Sequence, residues 1–145
     1  MEIIKIETIP VTVRVDERIM ITSSLGTHRV SRFVLIKVHT NEGLVGIGEA
    51  TVMPAWSGET QGGACFVLDH DLGPAILGED PFDVARIMRK LDEVAFGNNF
   101  SKAAIEMALF DIMGKALGVP IHQLLGGRCR DRRIPKTQNQ DKSKK

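Results

Sequence analysis

The chain has 145 residues, 43% of them hydrophobic and 26% charged, with a formal net charge of +1. That length suits one domain with its own core, and that composition argues against a disordered, collagenous or disulfide-framed chain. The charge is lopsided: residues 128–145 carry +6, leaving −5 on residues 1–127.

Residues 3–15 (IIKIETIPVTVRV) alternate and are rich in β-branched side chains, which predicts a strand. Pro10 inside it cannot donate to a ladder, so the strand is expected at a sheet edge or bulge. Residues 16–31 show no period. A loop of this length in a compact domain points to function or mobility. Residues 32–40 and 44–50 read as two further strands joined by a glycine-containing hairpin at Asn41-Glu42-Gly43. Gly46 and Gly48 lie two apart and share one face, which invites another backbone to approach closely. They do not form a nucleotide fingerprint, because no G-x-G-x-x-G opens a helix here.

Thr51–Gly58 is a loop carrying Pro54 and the only tryptophan, Trp56. Ser57 is positioned to cap a helix running from Glu59 to about Leu68. A turn with a short helical piece follows over residues 69–78. Asp80-Pro81 is then expected to start a helix whose stripe is Val84, Ile87, Met88, Leu91 and Val94. The next helix, from Ser101 to Leu117, is apolar on nearly every face, so several of its sides should be covered. Ser101 suits its N-cap, Gly118 its left-handed C-terminal stop, and Asp111 and Lys115 are spaced to pair. Strands first and helices after them predict an α+β fold, a three-stranded antiparallel meander beside three or more helices. Residues 1–127 form the domain. Residues 128–145 are too polar to bury surface against their ordering entropy, and are expected to be disordered.

Chemistry is thinly marked. Cys65 and Cys129 have no metal-ligand spacing and read as reduced thiols. No nucleophile elbow is present, and His70 between Asp69 and Asp71 lacks further ligands to complete a metal site. The basic tail has no interleaved aromatics, which argues against nucleic acid as partner. No secretion signal and no membrane-spanning run is seen, so the chain is expected in the cytoplasm without a membrane. Trp56, Ser57 and Glu59, directly after a strand, are the most suggestive cluster; the plainer alternative is a packed Trp with Ser57 as helix cap.

Three stretches in order, LVGIGEA, PAWSGET and NNFSKAAIEMALFDIMGKALGVPIHQLLGGRCRD, resemble the N-terminal capping domain of the enolase superfamily. The resemblance covers about residues 3–134 and is closest to the muconate-lactonizing branch, which also includes epimerases, racemases and dehydratases. It implies a cap over the open end of a (β/α)-barrel. That barrel holds Mg²⁺ or Mn²⁺ and the bases that act on a carboxylate substrate through an enediolate. It also implies that two cap loops close on substrate and set specificity. They map to residues 19–30 and 51–59, with Ile21, Ser23, Ser24, Met53, Trp56, Ser57 and Glu59 as candidates. A barrel needs at least ~200 residues, and only eighteen follow Gly127. Catalytic residues, metal ligands and a cofactor site are therefore expected outside this chain. It is read as a truncated cap that is inactive alone and prone to self-association, or as one subunit of a split enzyme completed by a separate barrel. A non-enzymatic module that recruits an acidic partner through its basic tail is the remaining alternative.

Overall fold

The computed structural model describes residues 1–24 and 26–130. Strand β1 (Ile3–Arg14) pairs antiparallel with β4 (Val30–Thr40), which pairs antiparallel with β5 (Val45–Val52), in the order β1-β4-β5. Pro10 lies on β1, an edge strand, opposite Val34, where its missing N–H costs no central ladder bond. Between β1 and β4, the aperiodic segment is a 3-10 turn (Glu17–Ile19) and a two-stranded arm, β2 (Thr22–Ser23) against β3 (Gly26–Thr27).

One sheet face carries Val34, Ile36, Val38, Ala50 and Val52, all buried under the helices. The helices are α1 (Pro54–Ser57), α2 (Gln61–Val67), α3 (Gly73–Ala75), α4 (Val84–Val94), α5 (Asn99–Leu117) and α6 (Ile121–Leu124). A π-helical turn, Leu68–Leu72, joins α2 to α3. Helix α5 lies on β5, and the two bare glycines make that contact possible. A Cβ on Gly46 would stand 2.1 Å from the Ala108 carbonyl oxygen, and one on Gly48 1.9 Å from that of Ala104. Ala104, Ile105, Ala108, Leu109 and Ile112 of α5 are thereby sealed into the core. Asp111 and Lys115 pair as expected (2.7 Å) and also close the outer edge of β5. Asp111 Oδ2 accepts from the Ile47 N–H (2.9 Å), and Lys115 Nζ donates to the Val45 carbonyl (2.6 Å). Gly118 ends the helix with φ 66°.

Three helix starts differ from expectation. Ser57 does not open a long helix: α1 is a single turn ended by Gly58 at φ 76°, and α2 begins afresh with Thr60 Oγ1 accepting from Gly63 N–H (3.0 Å). Asp80-Pro81 does not start α4 either. The Asp80 carboxylate accepts from Phe82 N–H (3.0 Å) to close a turn, and the helix begins three residues later. Ser101 is not the N-cap of α5. Asn98, at φ 51°, occupies that position, and Ser101 is buried in the first turn. The strand ends differ from the alternation by one or two residues: β1 stops at Arg14, β4 starts at Val30, and β5 runs from Val45 to Val52. Of the basic tail, residues 131–145 lie outside the described residues, and with them the expectation of disorder.

Candidate functional site

The two loops singled out by sequence meet. The β2/β3 arm folds back toward the segment that leaves β5, and between them lies a cleft of about 780 Å³. Ile21, Ser23, Met53 and Trp56 all line it. Ile21 is 70% exposed and Trp56 66% exposed, so two large apolar side chains stand in the open at its rim. Burying each would be worth about 1.5–3 kcal/mol, which gives this rim a tendency to take up an apolar group. The α1 turn positions Trp56, whose backbone N–H donates to the Met53 carbonyl (2.9 Å), and its indole leans on the Phe100 ring at 5.9 Å.

The other three candidates are placed differently. Ser24 is exposed on the arm but does not line the cleft. Ser57 Oγ folds back on its own turn, donating to the Met53 carbonyl (3.1 Å) and accepting from Met53 and Glu59 N–H groups (3.3 Å each). Glu59 is 7% exposed and turned into the domain. Its carboxylate accepts from the Phe100 N–H (2.8 Å), the Ser101 N–H (3.1 Å) and the Ser101 hydroxyl (2.6 Å). It thus satisfies free donors at the positive end of α5, a cap supplied from 42 residues upstream. Gln61, next in the chain, donates from Nε2 to the Val11 (3.0 Å) and Phe33 (2.8 Å) carbonyls, tying α2 to the sheet beside the cleft.

Sequence reasoning passed over the basic side of the cleft. His28, Arg29, Ser31 and Arg32 also line it, with His28 Nε2 and Ser31 Oγ 2.8 Å apart. The signal available was the run His28-Arg-Val-Ser-Arg32, a local positive cluster in a body of net negative charge. Among the described residues, no carboxylate lines the cleft. Among the described residues, no group of three or more His, Cys, Asp or Glu side chains is placed to hold a metal ion. The residues present do not fit a divalent metal, which takes oxygen ligands from several carboxylates or carbonyls at once. No helix among the described residues is long and apolar enough to cross a membrane.

A second apolar groove, about 740 Å³, lies on the far side of α5, lined by Ile47, Met107, Phe110, Ile121 and Leu125. Helix α5 is thus covered by the sheet, α4 and α6 on some sides and left apolar and open on another.

A three-stranded meander under a helical layer, with an open loop cleft and an apolar flank, defines an α+β capping-type domain. Residues 5–126 match the family described as mandelate racemase / muconate lactonizing enzyme, N-terminal domain, and the chain belongs to that family, within the enolase superfamily of isomerases and lyases. It is 50% identical over 101 residues to a chloromuconate cycloisomerase of Cupriavidus pinatubonensis, covering 68% of this chain and 27% of that enzyme. The crystal structure of N-succinyl Arg/Lys racemase from Bacillus cereus superposes with a TM-score of 0.84 at 33% identity, covering 90% of this chain and 35% of that one. The dipeptide epimerase of Enterococcus faecalis, solved with Mg and the dipeptide L-Leu-L-Tyr, gives 0.83 at 32% identity, covering 88% and 35%. The chain spans about a third or less of the length of the relatives it matches.

Proposed function

We propose that this chain is the substrate-capping part of a muconate cycloisomerase-like enzyme. That enzyme would act on a carboxylate substrate as a cycloisomerase, epimerase, racemase or dehydratase. The observation that carries the reading is the cleft between the two family loops, with Ile21 and Trp56 exposed at its rim among the described residues. In a complete enzyme a (β/α)-barrel stands opposite this cleft, as a continuation of the polypeptide or as a separate chain. The barrel would bring Mg²⁺ or Mn²⁺ and the acid–base groups; the described residues hold no group of three or more His, Cys, Asp or Glu side chains placed for a metal. The metal supplies charge stabilisation to an enediolate. This chain's residues hold the substrate's far end, and by covering the site they exclude water and strengthen the electrostatics inside. The 145 residues alone are then inactive.

The groove at Ile47, Met107, Phe110, Ile121 and Leu125 supports the same reading, as a flank the barrel or a neighbouring subunit would cover. Uncovered, it favours self-association. A monodisperse monomer with a cooperative melt at high temperature would count against that. We place the chain in the cytoplasm, in keeping with its free Cys65 and Cys129. The decisive experiment mixes the purified chain with Mg²⁺ and a barrel polypeptide from a relative, in deuterated water. Loss of the α-proton signal of a carboxylate substrate is expected only in the complete mixture. Failure of every such pairing, with the relative's own cap active in the same assay, would overturn the proposal.

A further inference from the structure

The cleft is chemically one-sided. Its apolar wall is Ile21, Met53 and Trp56, and its polar wall carries His28, Arg29 and Arg32, with no acidic residue in the lining among the described residues. This is unusual for its surroundings, because residues 1–127 as a whole carry −5. Among the described residues, neither the Arg29 nor the Arg32 guanidinium is engaged in an ion pair, whereas Arg18 and Arg86 each hold a carboxylate at 2.6 Å. The backbone under both is fixed. Arg32 is a register position of β4, opposite Val52 of β5 and Thr12 of β1. The Arg29 carbonyl accepts from the Val15 N–H at 2.9 Å, which pins the base of the arm. A guanidinium offers a planar fork of donors that matches a carboxylate in a bidentate pair.

We infer that Arg29 and Arg32 read a remote acid group on the substrate, so that the cleft selects carboxylates carrying a second, distant carboxylate on an apolar body. This rests on the reading of the cleft as a substrate half-site. It separates the kinds of molecule named for the relatives. A muconate carries such a second carboxylate, and so does an N-succinyl amino acid. The free dipeptide L-Leu-L-Tyr presents an ammonium group instead, which the two arginines would repel. Muconate's two acid groups stand at opposite ends of an unsaturated four-carbon spacer. One end would face the barrel, and the other would reach Arg29 and Arg32 past Ile21 and Trp56.

The test needs no barrel, because Trp56 is the only tryptophan of the chain and sits on the cleft wall. Its fluorescence in the full chain is titrated with cis,cis-muconate and with its dimethyl ester, which keeps the apolar spacer and carries no charge. Muconate is expected to give a saturable change at concentrations about tenfold below those for the ester. The contrast should shrink as salt rises, since both arginines are exposed and screened. Arg32→Gln and Arg29→Gln should each erase most of the preference for muconate while leaving the ester response and the urea midpoint unchanged, and Arg32→Lys should keep part of it. Equal response to muconate and its ester, no response to either, or full preference in both glutamine variants would each overturn the inference. The choice of a diacid over L-Leu-L-Tyr is read in the reconstituted mixture, where the barrel holds the first carboxylate. Proton exchange in the reconstituted mixture without a preference for diacids would sink this inference and leave the proposed function standing. The reverse pattern would do the opposite.

Discussion

Replacing Gly48 by alanine tests the contact on which the whole domain is built. The new Cβ would lie 1.9 Å from the Ala104 carbonyl oxygen, 2.7 Å from its carbon and 3.2 Å from its Cα. All three are backbone atoms of α5, so no side chain can swing aside. An ordinary carbon–oxygen contact sits near 3.3 Å, so relief requires α5 and β5 to separate by about 1.5 Å. That movement loosens Ile105, Leu109 and Ile112, each fully buried beneath the helix. Overpacking typically costs about 1–3 kcal/mol, and a rigid backbone clash belongs at the top of that range. A loss of about 3 kcal/mol should lower the melting temperature of a domain this size by roughly 10 °C. The assay is urea unfolding followed by far-ultraviolet circular dichroism, at one fixed protein concentration because association shifts apparent stability. Gly62→Ala is the control: Gly62 lies inside α2 with nothing within 4 Å of its Cβ, and alanine there should gain about 0.5–1 kcal/mol. Gly46→Ala meets Ala108 at 2.1 Å and should behave like Gly48→Ala. The double variant should cost less than the two together, since the helix is lifted only once. If Gly48→Ala came within about 0.5 kcal/mol of the parent, or matched Gly62→Ala, the glycine-mediated seating of α5 would be wrong.

Three other outcomes are expected. Glu59→Ala should cost about 2–3 kcal/mol, because two N–H groups and the buried Ser101 hydroxyl lose a charged acceptor, with Glu59→Gln intermediate; equal stability of all three proteins would refute the capping role. The Glu79 carboxyl is held below its ordinary value of 4.5, first by its hydrogen bond from Lys90 and then by the nearby Arg86. A depressed folded-state value stabilises above 4.5 and is lost as pH falls below it, so Glu79→Gln should flatten the acid limb of stability against pH and leave the neutral limb's slope unchanged. Burial, reinforced by Asp69, pushes the Cys65 thiol up, whereas Cys129 is exposed. A thiol reagent near neutral pH should therefore modify Cys129 first, and Cys129→Ser should leave only a slow phase; a fast phase surviving in that variant would contradict this.

What the chain announces by itself is what repeats locally. Alternation marked the three strands, and the edge-strand reading of Pro10 followed from its missing N–H. The two-residue spacing of Gly46 and Gly48 announced a close backbone approach, and a four-residue spacing paired Asp111 with Lys115. The family was legible too, because its motif lies in one continuous helix and its exit. Helix starts were less legible, since an N-cap competes with every other use of the same side chain. Asp80 closes a turn instead of opening α4. Ser57 folds back on its own turn, and Ser101 gives way to a carboxylate 42 residues earlier in the chain.

Only the tertiary structure decided which loop residues face one another. Ile21 and Trp56 share a cleft because the β2/β3 arm folds back across the end of β5, and Glu59 leaves that cleft because α5 needs an acceptor at its N-terminus. Arg29 and Arg32 came into the site by register: β4 delivers Arg32 to the cleft, and the arm's pinned base delivers Arg29. Periodicity is a property of neighbours in sequence, whereas a binding cleft is made by neighbours in space. For this protein, the scaffold could be read from the chain, and the chemistry of its cleft could not.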